Sequence, residues 1–127
     1  MAQLKIATKF HFTGFLRGDD VQKMFLYSDV YVMPSVSEPF GISPLEAMRA
    51  GVPTIISKQS GVAEVLKHSI KVDYWDVDAL ADAIYALLAY PALGKMAGEE
   101  GLDEVNQLKW ENAALKVEEV YKDVLGV

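Results

Sequence analysis

The chain contains no cysteine, which excludes disulfide bonds and thiolate metal sites. No apolar run approaches the roughly 20 residues that a membrane-spanning helix needs, and the first residues lack the long apolar core of a secretory signal. The 12 basic residues are scattered through a chain with a formal charge of −6, so no electrostatic footprint for nucleic acid is present. We therefore expect a soluble cytoplasmic protein that does not bind nucleic acid.

The composition is typical of a globular chain. Of the 127 residues, 51% are hydrophobic and 24% are charged, which favours folding around a core over disorder. This length supports one sizeable core. No internal repeat, low-complexity tract or linker divides the chain, so we predict a single domain over residues 1–127.

Strand patterns are present in the first part of the chain. They combine β-branched or alternating apolar residues with a stop at glycine, proline or another turn residue. The predicted strands are residues 9–13, 29–33, 52–57 and, more weakly, 70–72. Helix patterns lie between them. Asp19 and Asp20 supply an N-cap for the first helix, Gly51 closes a second over about residues 44–50, and a short third covers residues 62–67.

The pattern after Tyr74 is helical. Asp76 or Asp78 caps one helix, Pro91 opens a second in which three glycines lower the helix propensity, and a last helix begins near Glu111. Its apolar stripe comprises Val117, Val120, Tyr121, Val124 and Leu125. Strand–helix alternation followed by helices predicts an α/β fold: a three-layer, Rossmann-like parallel sheet of about four strands with helical C-terminal cover.

The segment after the second predicted strand places two carboxylates around a glycine turn. Glu38 and Glu46 are eight positions apart, and Gly41 between them lets the backbone approach a ligand closely or adopt a positive φ. Ser43 is a good N-cap and Pro44 suits the first helical position, so the free N–H groups of this helix would face the loop. Ligands of open parallel sheets bind beyond the carboxyl ends of the strands, so we expect an anion site here.

Each of these residues also has a purely structural interpretation. Glu46 fits the third position of a capping box and would then accept from the backbone N–H of Ser43; spacing alone favours this over ribose binding. Glu38 could be a solvated surface acid, Phe40 could fill the core, and Gly41 could serve only a turn. Their arrangement on one strand–loop–helix unit favours a site for a sugar nucleotide, with the diphosphate between the two acids.

These motifs resemble the donor-binding half of retaining glycosyltransferases with the GT-B fold, in the family-four or glycosyl transferases group 1 families. The resemblance runs from about Lys9 to the C-terminus. Its centre is Glu-x₇-Glu with Phe-Gly after the first glutamate. The matching segments are Phe12-Thr13-Gly14-Phe15, residues 28–35, residues 38–48 and Gly51-Val52-Pro53.

The resemblance implies a role for each residue of the loop. Glu38 would lie beside the donor sugar as the catalytic residue, bonding a hydroxyl and stabilising the positive charge that develops at the anomeric carbon. Main-chain N–H groups would bind the sugar and the diphosphate, and Glu46 would bind the ribose hydroxyls while still capping its helix in part. Retaining members of the group are described as needing no metal, so no metal or other cofactor is expected. The implied substrate-binding residues are Phe40, Gly41, Ile42, Ser43 and Glu46.

The chain departs from the family pattern in several places. Ser60-Gly61 stands where the family usually has paired glycines, and Ser69-Ile70-Lys71 stands where it often has Gly-x-Leu. The family's donor domain begins with two further strands and a loop carrying an arginine and a lysine for the diphosphate, all preceded by an acceptor-binding domain. None of this precedes Lys9, and Arg17 lies on a different loop. We therefore expect a fragment that binds donor weakly and has little or no transferase activity alone.

Three functions stay open at this stage. The chain could be the donor-binding half of a hexosyltransferase, a non-catalytic binding or assembly module that needs a partner chain, or a sugar-nucleotide epimerase-like domain. The predicted strand at residues 9–13 lacks its family neighbours, so an exposed strand edge could support a homodimer or a rearranged sheet. His11 and His68 are interpreted as structural or surface residues, since no nucleophile or acid partner is visible for either.

Overall fold

The computed structural model describes residues 5–126, which hold three strands and five α-helices. The strands are β1 (Tyr31–Met33), β2 (Thr54–Ser57) and β3 (Ile70–Val72). The helices are α1 (Asp19–Leu26), α2 (Ser43–Arg49), α3 (Val77–Ala89), α4 (Pro91–Gln107) and α5 (Trp110–Leu125). Two 3₁₀ turns cover Ala7–Lys9 and Gly61–Glu64.

The strands form one parallel sheet in the order β1-β2-β3, so β2 is central. Val32 lies opposite Ile55, which in turn lies opposite Ile70. All four residues of β2 are buried, as expected for a strand that is paired on both edges and covered on both faces. The predicted α/β fold with a parallel sheet is confirmed, with three strands in residues 5–126 where about four were expected.

Helices cover both faces of this sheet. On one face, Met48 of α2 and Val105 of α4 pack in a cluster with Ile56. On the other face, Leu87 of α3 packs in a cluster with Ile55. Successive residues of a strand point to opposite faces, so these two neighbouring isoleucines enter separate clusters. The predicted three-layer arrangement is therefore confirmed.

Residues 9–13 do not form the predicted strand. Residues 10–18 have no helix or strand, and Phe10 and Phe12 are 51% and 81% exposed. An alternating pattern produces a strand only when a neighbouring strand takes its hydrogen bonds and a core covers its apolar face. Within the described part of the chain, neither is provided for this segment. Among residues 5–126, the unpaired strand edge near this end of the chain belongs to β1, which pairs there with β2 alone.

Helix starts follow the prediction in part. The two aspartates predicted to cap α1 lie in its first turn instead, because Gly18 with φ 55° occupies the N-cap position. Of the two aspartates predicted to cap α3, Asp76 is the N-cap, and its side chain accepts from the backbone N–H of Ala79 at 3.0 Å. The short helix predicted over residues 62–67 is the 3₁₀ turn Gly61–Glu64.

Helix α4 forms despite its glycines, and two of them explain its packing. Gly98 and Gly101 are buried where α4 meets the layer built by α2. A Cβ atom at Gly98 would lie 2.3 Å from the carbonyl oxygen of Gly51, and one at Gly101 would lie 3.3 Å from Cε of Met48. The glycines that weaken the helix locally therefore allow its close approach.

Helix α5 confirms the predicted amphipathic pattern but leaves its apolar face uncovered. It begins at Trp110, one residue before the predicted start, and none of its residues is buried. Val117 and Val124 of the predicted stripe are 52% and 79% exposed, and Trp110 is 89% exposed. A helix of this length is marginal by itself in water, so tertiary or partner contacts normally stabilise such a face.

Within residues 5–126, no single helix combines the length and apolarity needed to cross a membrane. Helices α3 and α4 meet those two criteria only as a pair, and the chain bends by 101° between them.

Candidate functional site

The loop between β1 and α2 lies across the carboxyl end of the sheet. After β1 ends at Met33, this loop pairs with the turn that follows β2. The backbone N–H of Gly61 donates to the carbonyl of Glu38 at 2.9 Å, and the N–H of Val62 donates to the carbonyl of Phe40 at 2.9 Å. Open parallel sheets bind their ligands at this edge, so the loop has the location that the sequence predicted.

Gly41 has both properties expected of it. Its φ is 89°, a conformation that residues with a side chain rarely adopt. A Cβ atom here would also lie 3.1 Å from Cγ of Glu38 and 3.2 Å from Cε of Met33. The turn therefore folds Glu38 back toward the end of β1, and a larger residue at this position would push the glutamate away.

Four consecutive backbone N–H groups in this loop, those of residues 40–43, have no hydrogen-bond acceptor within residues 5–126. The next residue, Pro44, has no N–H. The side chains of Phe40 and Ile42 are 42% and 68% exposed, so the loop faces solvent and Phe40 does not fill the core. A succession of unpaired N–H groups around a positive-φ glycine is a concave arrangement that can bind an anion.

The start of α2 differs from the prediction. Ser43 is the first residue of the helix, Ile42 occupies the N-cap position, and no side chain caps the helix. The Ser43 hydroxyl instead forms a 2.6 Å hydrogen bond with the hydroxyl of Tyr31, a partly buried group that needs a partner. The carboxylate of Glu46 makes no capping-box bond and is exposed, so it is available to a ligand.

The hydroxyl of Tyr31 indicates how the two acids are placed. Burial raises the pKa of Tyr31, the hydrogen bond with Ser43 opposes that shift, and the negative charges of Glu46 and Glu38 raise the pKa further. Both carboxylates therefore act on one hydroxyl at the start of α2. Glu38 lies beside Gly41, which is two residues before α2, and Glu46 lies in the first turn of that helix, so neighbouring segments carry the two acids.

A cleft of about 500 Å³ lies between α1 and α2. Glu46 and Arg49 of α2 form one wall, and Val21, Gln22 and Phe25 of α1 lie on the other. The cleft thus offers an acceptor, a cation and an apolar surface, and it reaches the first turn of α2 at Glu46. Clefts of this volume accommodate ligands of nucleotide size.

A polar network that no sequence motif indicated lies at the same end of the sheet. Lys58 follows the last residue of β2, and Asp73 follows the last residue of β3; the two side chains form a 2.8 Å ion pair. The side-chain N–H of Gln59 also donates to Asp73, at 2.9 Å. Residues that directly follow paired parallel strands emerge side by side, so the strand ends were the signal that could have found this network.

Asp73 gives the first testable prediction, on acid stability. The hydrogen bond from Lys58 lowers the pKa of the Asp73 carboxyl, and the hydrogen bond from Gln59 lowers it further. A carboxyl whose pKa is lower in the folded state than in the unfolded state stabilises the fold at pH values above its unfolded-state pKa. This stabilisation is lost as the pH falls through the folded-state pKa. We expect Asp73→Asn to lower the free energy of unfolding at neutral pH. In acid, the free energies of unfolding of the variant and the original chain should approach each other. Urea unfolding followed by circular dichroism from about pH 7 to about pH 2 measures this; a pH-independent difference would contradict it.

Within residues 5–126, no group of three or more His, Asp or Glu side chains is arranged to hold a metal ion. His68 lies away from the loop, on the surface, with Nδ1 3.3 Å from the carboxylate of Glu100. His11 is exposed as well.

The parallel sheet, covered by helices on both faces and with unpaired N–H groups in the loop at its carboxyl edge, defines a Rossmann-like α/β class of domain. The chain belongs to the glycosyl transferases group 1 family, whose profile matches residues 1–103. The family predicted from the loop motifs is therefore confirmed, and the chain corresponds to the C-terminal part of a GT-B glycosyltransferase.

Individual relatives agree with this assignment. An uncharacterised glycosyltransferase of Methanocaldococcus jannaschii is 34% identical over 125 residues, which are 94% of this chain and 32% of that protein. A sucrose-phosphate synthase from Thermosynechococcus elongatus superposes with a TM-score of 0.80 at 30% identity, over 98% of this chain and 32% of the other. The C-terminal domain of a group 1 glycosyl transferase from Francisella tularensis shares the fold, with a TM-score of 0.76 at 22% identity over 84% of this chain and 57% of the other. The chain thus spans about a third of the length of the first two proteins.

Proposed function

We propose that this chain is the donor-binding part of a retaining glycosyltransferase, which transfers a hexose from a nucleotide sugar to an acceptor. The observation that carries the proposal is the run of unpaired N–H groups at residues 40–43, which lie between Glu38 and Glu46 in the sequence. A diphosphate needs hydrogen-bond donors, and the hydroxyls of the sugar and ribose need acceptors on either side. One short loop and the start of its helix supply all of these.

In this proposal, Glu38 is the catalytic residue beside the donor sugar. Its carboxylate accepts from a sugar hydroxyl and stabilises positive charge that develops at the anomeric carbon as the diphosphate leaves. The N–H groups of residues 40–43 stabilise the negative charge of the leaving diphosphate. These groups are fixed before the ligand binds, because Gly41 is held in its positive-φ turn against Met33.

The nucleoside occupies the cleft between α1 and α2. Glu46 lies on the wall of this cleft and accepts from the ribose hydroxyls. Phe25 on the opposite helix offers an apolar surface to the base. No metal or other cofactor is part of the proposal, since the N–H groups of residues 40–43 act on the diphosphate.

The chain by itself is proposed to bind donor weakly and not to turn it over. Its relatives are about three times as long, and two-domain transferases act by closing around the donor and excluding water. The proposed partner is an acceptor-binding domain that precedes the donor half. We expect affinities of about 1 mM for nucleoside diphosphates, or about 4 kcal/mol.

A second candidate function, a non-catalytic module that needs a partner chain, is favoured by one observation. Helix α5 exposes an apolar stripe, and β1 leaves one strand edge unpaired within the described residues. Both features fit a surface that another chain completes, whether a different protein or a second copy.

A titration tests the proposal. Ligand-detected NMR would measure binding of uridine, adenosine and guanosine diphosphates and of their hexose derivatives. We expect Glu46→Ala to weaken every ligand by about tenfold, the loss of one hydrogen bond to a charged group. Glu38→Ala should weaken only the ligands that carry a sugar, by a similar factor.

Glu64→Ala is the matched control, because Glu64 is an exposed glutamate in the neighbouring 3₁₀ turn. It should leave all affinities unchanged. Absence of binding by every nucleotide would remove the donor-site proposal and leave the module. Equal weakening of all ligands by Glu38→Ala would show that this residue does not contact the sugar.

A further inference from the structure

A side-chain network joins the segments that follow β2 and β3. Both carboxylate oxygens of Asp73 are used: Oδ2 accepts from Nζ of Lys58 at 2.8 Å, and Oδ1 accepts from Nε2 of Gln59 at 2.9 Å. The backbone N–H of Lys58 also donates to the carbonyl of Val72 at 2.9 Å. Asp73 is therefore bound at both of its oxygens to consecutive residues of the turn after β2.

Gln59 transmits this attachment into the turn. Its Oε1 accepts from the hydroxyl of Ser57 at 2.7 Å and from the backbone N–H of Tyr74 at 3.3 Å. Its own backbone N–H donates to the same Ser57 hydroxyl at 3.1 Å. With Asp73 at the other end of the amide, the side chain of Gln59 has partners on every side, so one orientation is fixed. The turn after β2 is thereby held against the end of β3.

The same turn holds the loop that carries Glu38. Ser60 is buried, and its hydroxyl donates to the carbonyl of Ser57 at 2.7 Å. The next two backbone N–H groups, of Gly61 and Val62, donate to the Glu38 loop. A Cβ atom at Gly61 would lie 1.9 Å from the carbonyl oxygen of Pro39, so the two segments are in direct backbone contact. The four N–H groups after Pro39 bond nothing within residues 5–126, which leaves these two bonds as backbone attachments of the loop.

From this continuous path we infer that Asp73 is a positioning residue for Glu38. Its carboxylate fixes Gln59, Gln59 fixes the turn after β2, and the turn fixes the backbone of Glu38. This inference rests on the proposed function and adds to it a residue from a different strand end. Asp73 sets the geometry of the sugar contact and makes no contact with the nucleoside cleft.

Because the network is partly exposed, we expect it to act by holding the turn in place, not by the attraction between its charges. The side chains of Lys58 and Asp73 are 52% and 29% exposed, and exposed ion pairs contribute little by attraction alone. The bond between Gln59 and Asp73 is the one that locates the turn. Asp73→Asn keeps an oxygen that can accept from Gln59, so it should still hold the turn in position. Asp73→Ala has no such oxygen and should release the turn.

The experiment compares Asp73→Ala, Asp73→Asn and Glu118→Ala in the full chain. Glu118→Ala is the matched control, because it breaks an ion pair of 2.7 Å to Lys122 on the exposed face of α5. Two quantities are measured: the backbone amide resonances of residues 38, 40, 41 and 61, without ligand, and the ratio of affinities for a nucleoside diphosphate and its hexose derivative. Gln59→Leu serves as a second variant if Asp73→Ala does not fold by circular dichroism.

We expect Asp73→Ala to shift those amide resonances and to weaken binding of the hexose derivative about tenfold more than binding of the diphosphate. Asp73→Asn and Glu118→Ala should leave both quantities near those of the original chain. Unshifted resonances in Asp73→Ala, or equal weakening of both ligands, would overturn the inference. If the original chain binds no nucleotide, the proposed function fails, and the resonances alone decide whether Asp73 positions the loop.

Discussion

Gly61→Ala is expected to destabilise the chain by about 3 kcal/mol. The added Cβ would lie 1.9 Å from the carbonyl oxygen of Pro39 and 2.8 Å from its carbonyl carbon, and neither backbone atom can rotate away. The two loops must separate, which breaks the 2.9 Å bonds that Gly61 and Val62 donate. Two lost hydrogen bonds account for about 2 kcal/mol, and the displacement of packed backbone adds at least about 1 kcal/mol.

Thermal unfolding followed by circular dichroism measures this effect, and a fall in Tm of about 10 °C is expected. Glu64→Ala in the same 3₁₀ turn is the control, since its side chain is exposed and its loss should leave Tm nearly unchanged. The variant should also lose the sugar-dependent part of donor affinity, because the displaced loop carries Glu38. An unchanged Tm would contradict the close contact of the two loops.

Gly98→Ala is the second substitution with a large expected effect. Alanine is a better helix former than glycine by about 1 kcal/mol, so helix propensity alone predicts stabilisation of α4. The new Cβ, however, would lie 2.3 Å from the carbonyl oxygen of Gly51 and 3.3 Å from its carbonyl carbon. Because the obstacle is backbone, α4 must move away from the connection between α2 and β2, and overpacking of this kind costs up to about 3 kcal/mol. We expect a net loss of about 2 kcal/mol.

Asn106→Ala separates the two contributions to this result. Asn106 is an exposed residue of the same helix, so its replacement changes helix propensity without adding a contact. Urea unfolding should show Asn106→Ala at or slightly above the stability of the original chain and Gly98→Ala below it. A stabilised Gly98→Ala would mean that α4 is free to shift without cost.

The sequence predicts the sheet where burial and local pattern agree. Residues 52–57 are rich in β-branched residues, and β2 forms there as a strand that is buried on both faces. Residues 9–13 carry an equally clear alternation, but the part of the chain that the structure describes gives their phenylalanines no neighbouring strand and no core to enter. Alternation specifies which face is apolar; it does not supply the partner that turns an extended segment into a strand.

The same distinction applies to the site. Gly41 could be predicted because its requirement is local, a positive φ beside a buried methionine. The N-cap role of Ser43 could not be judged locally, because Tyr31, twelve residues earlier, forms a hydrogen bond with its hydroxyl. The Asp73 network is also non-local: each pair becomes adjacent only through the parallel register of β2 and β3. Spacing along the chain therefore indicates the loop and its acids but not the contacts that hold them.

The exposed positions of both tryptophans affect how this protein can be observed. Trp75 is 62% exposed and Trp110 is 89% exposed, and the chain has no other indole. Their fluorescence in the folded state should already resemble that of indole in water, so emission will report poorly on melting of the core. A blue shift of emission at constant temperature would instead reveal a molecule that covers α5 or the segment before α3, which makes these side chains natural reporters of association.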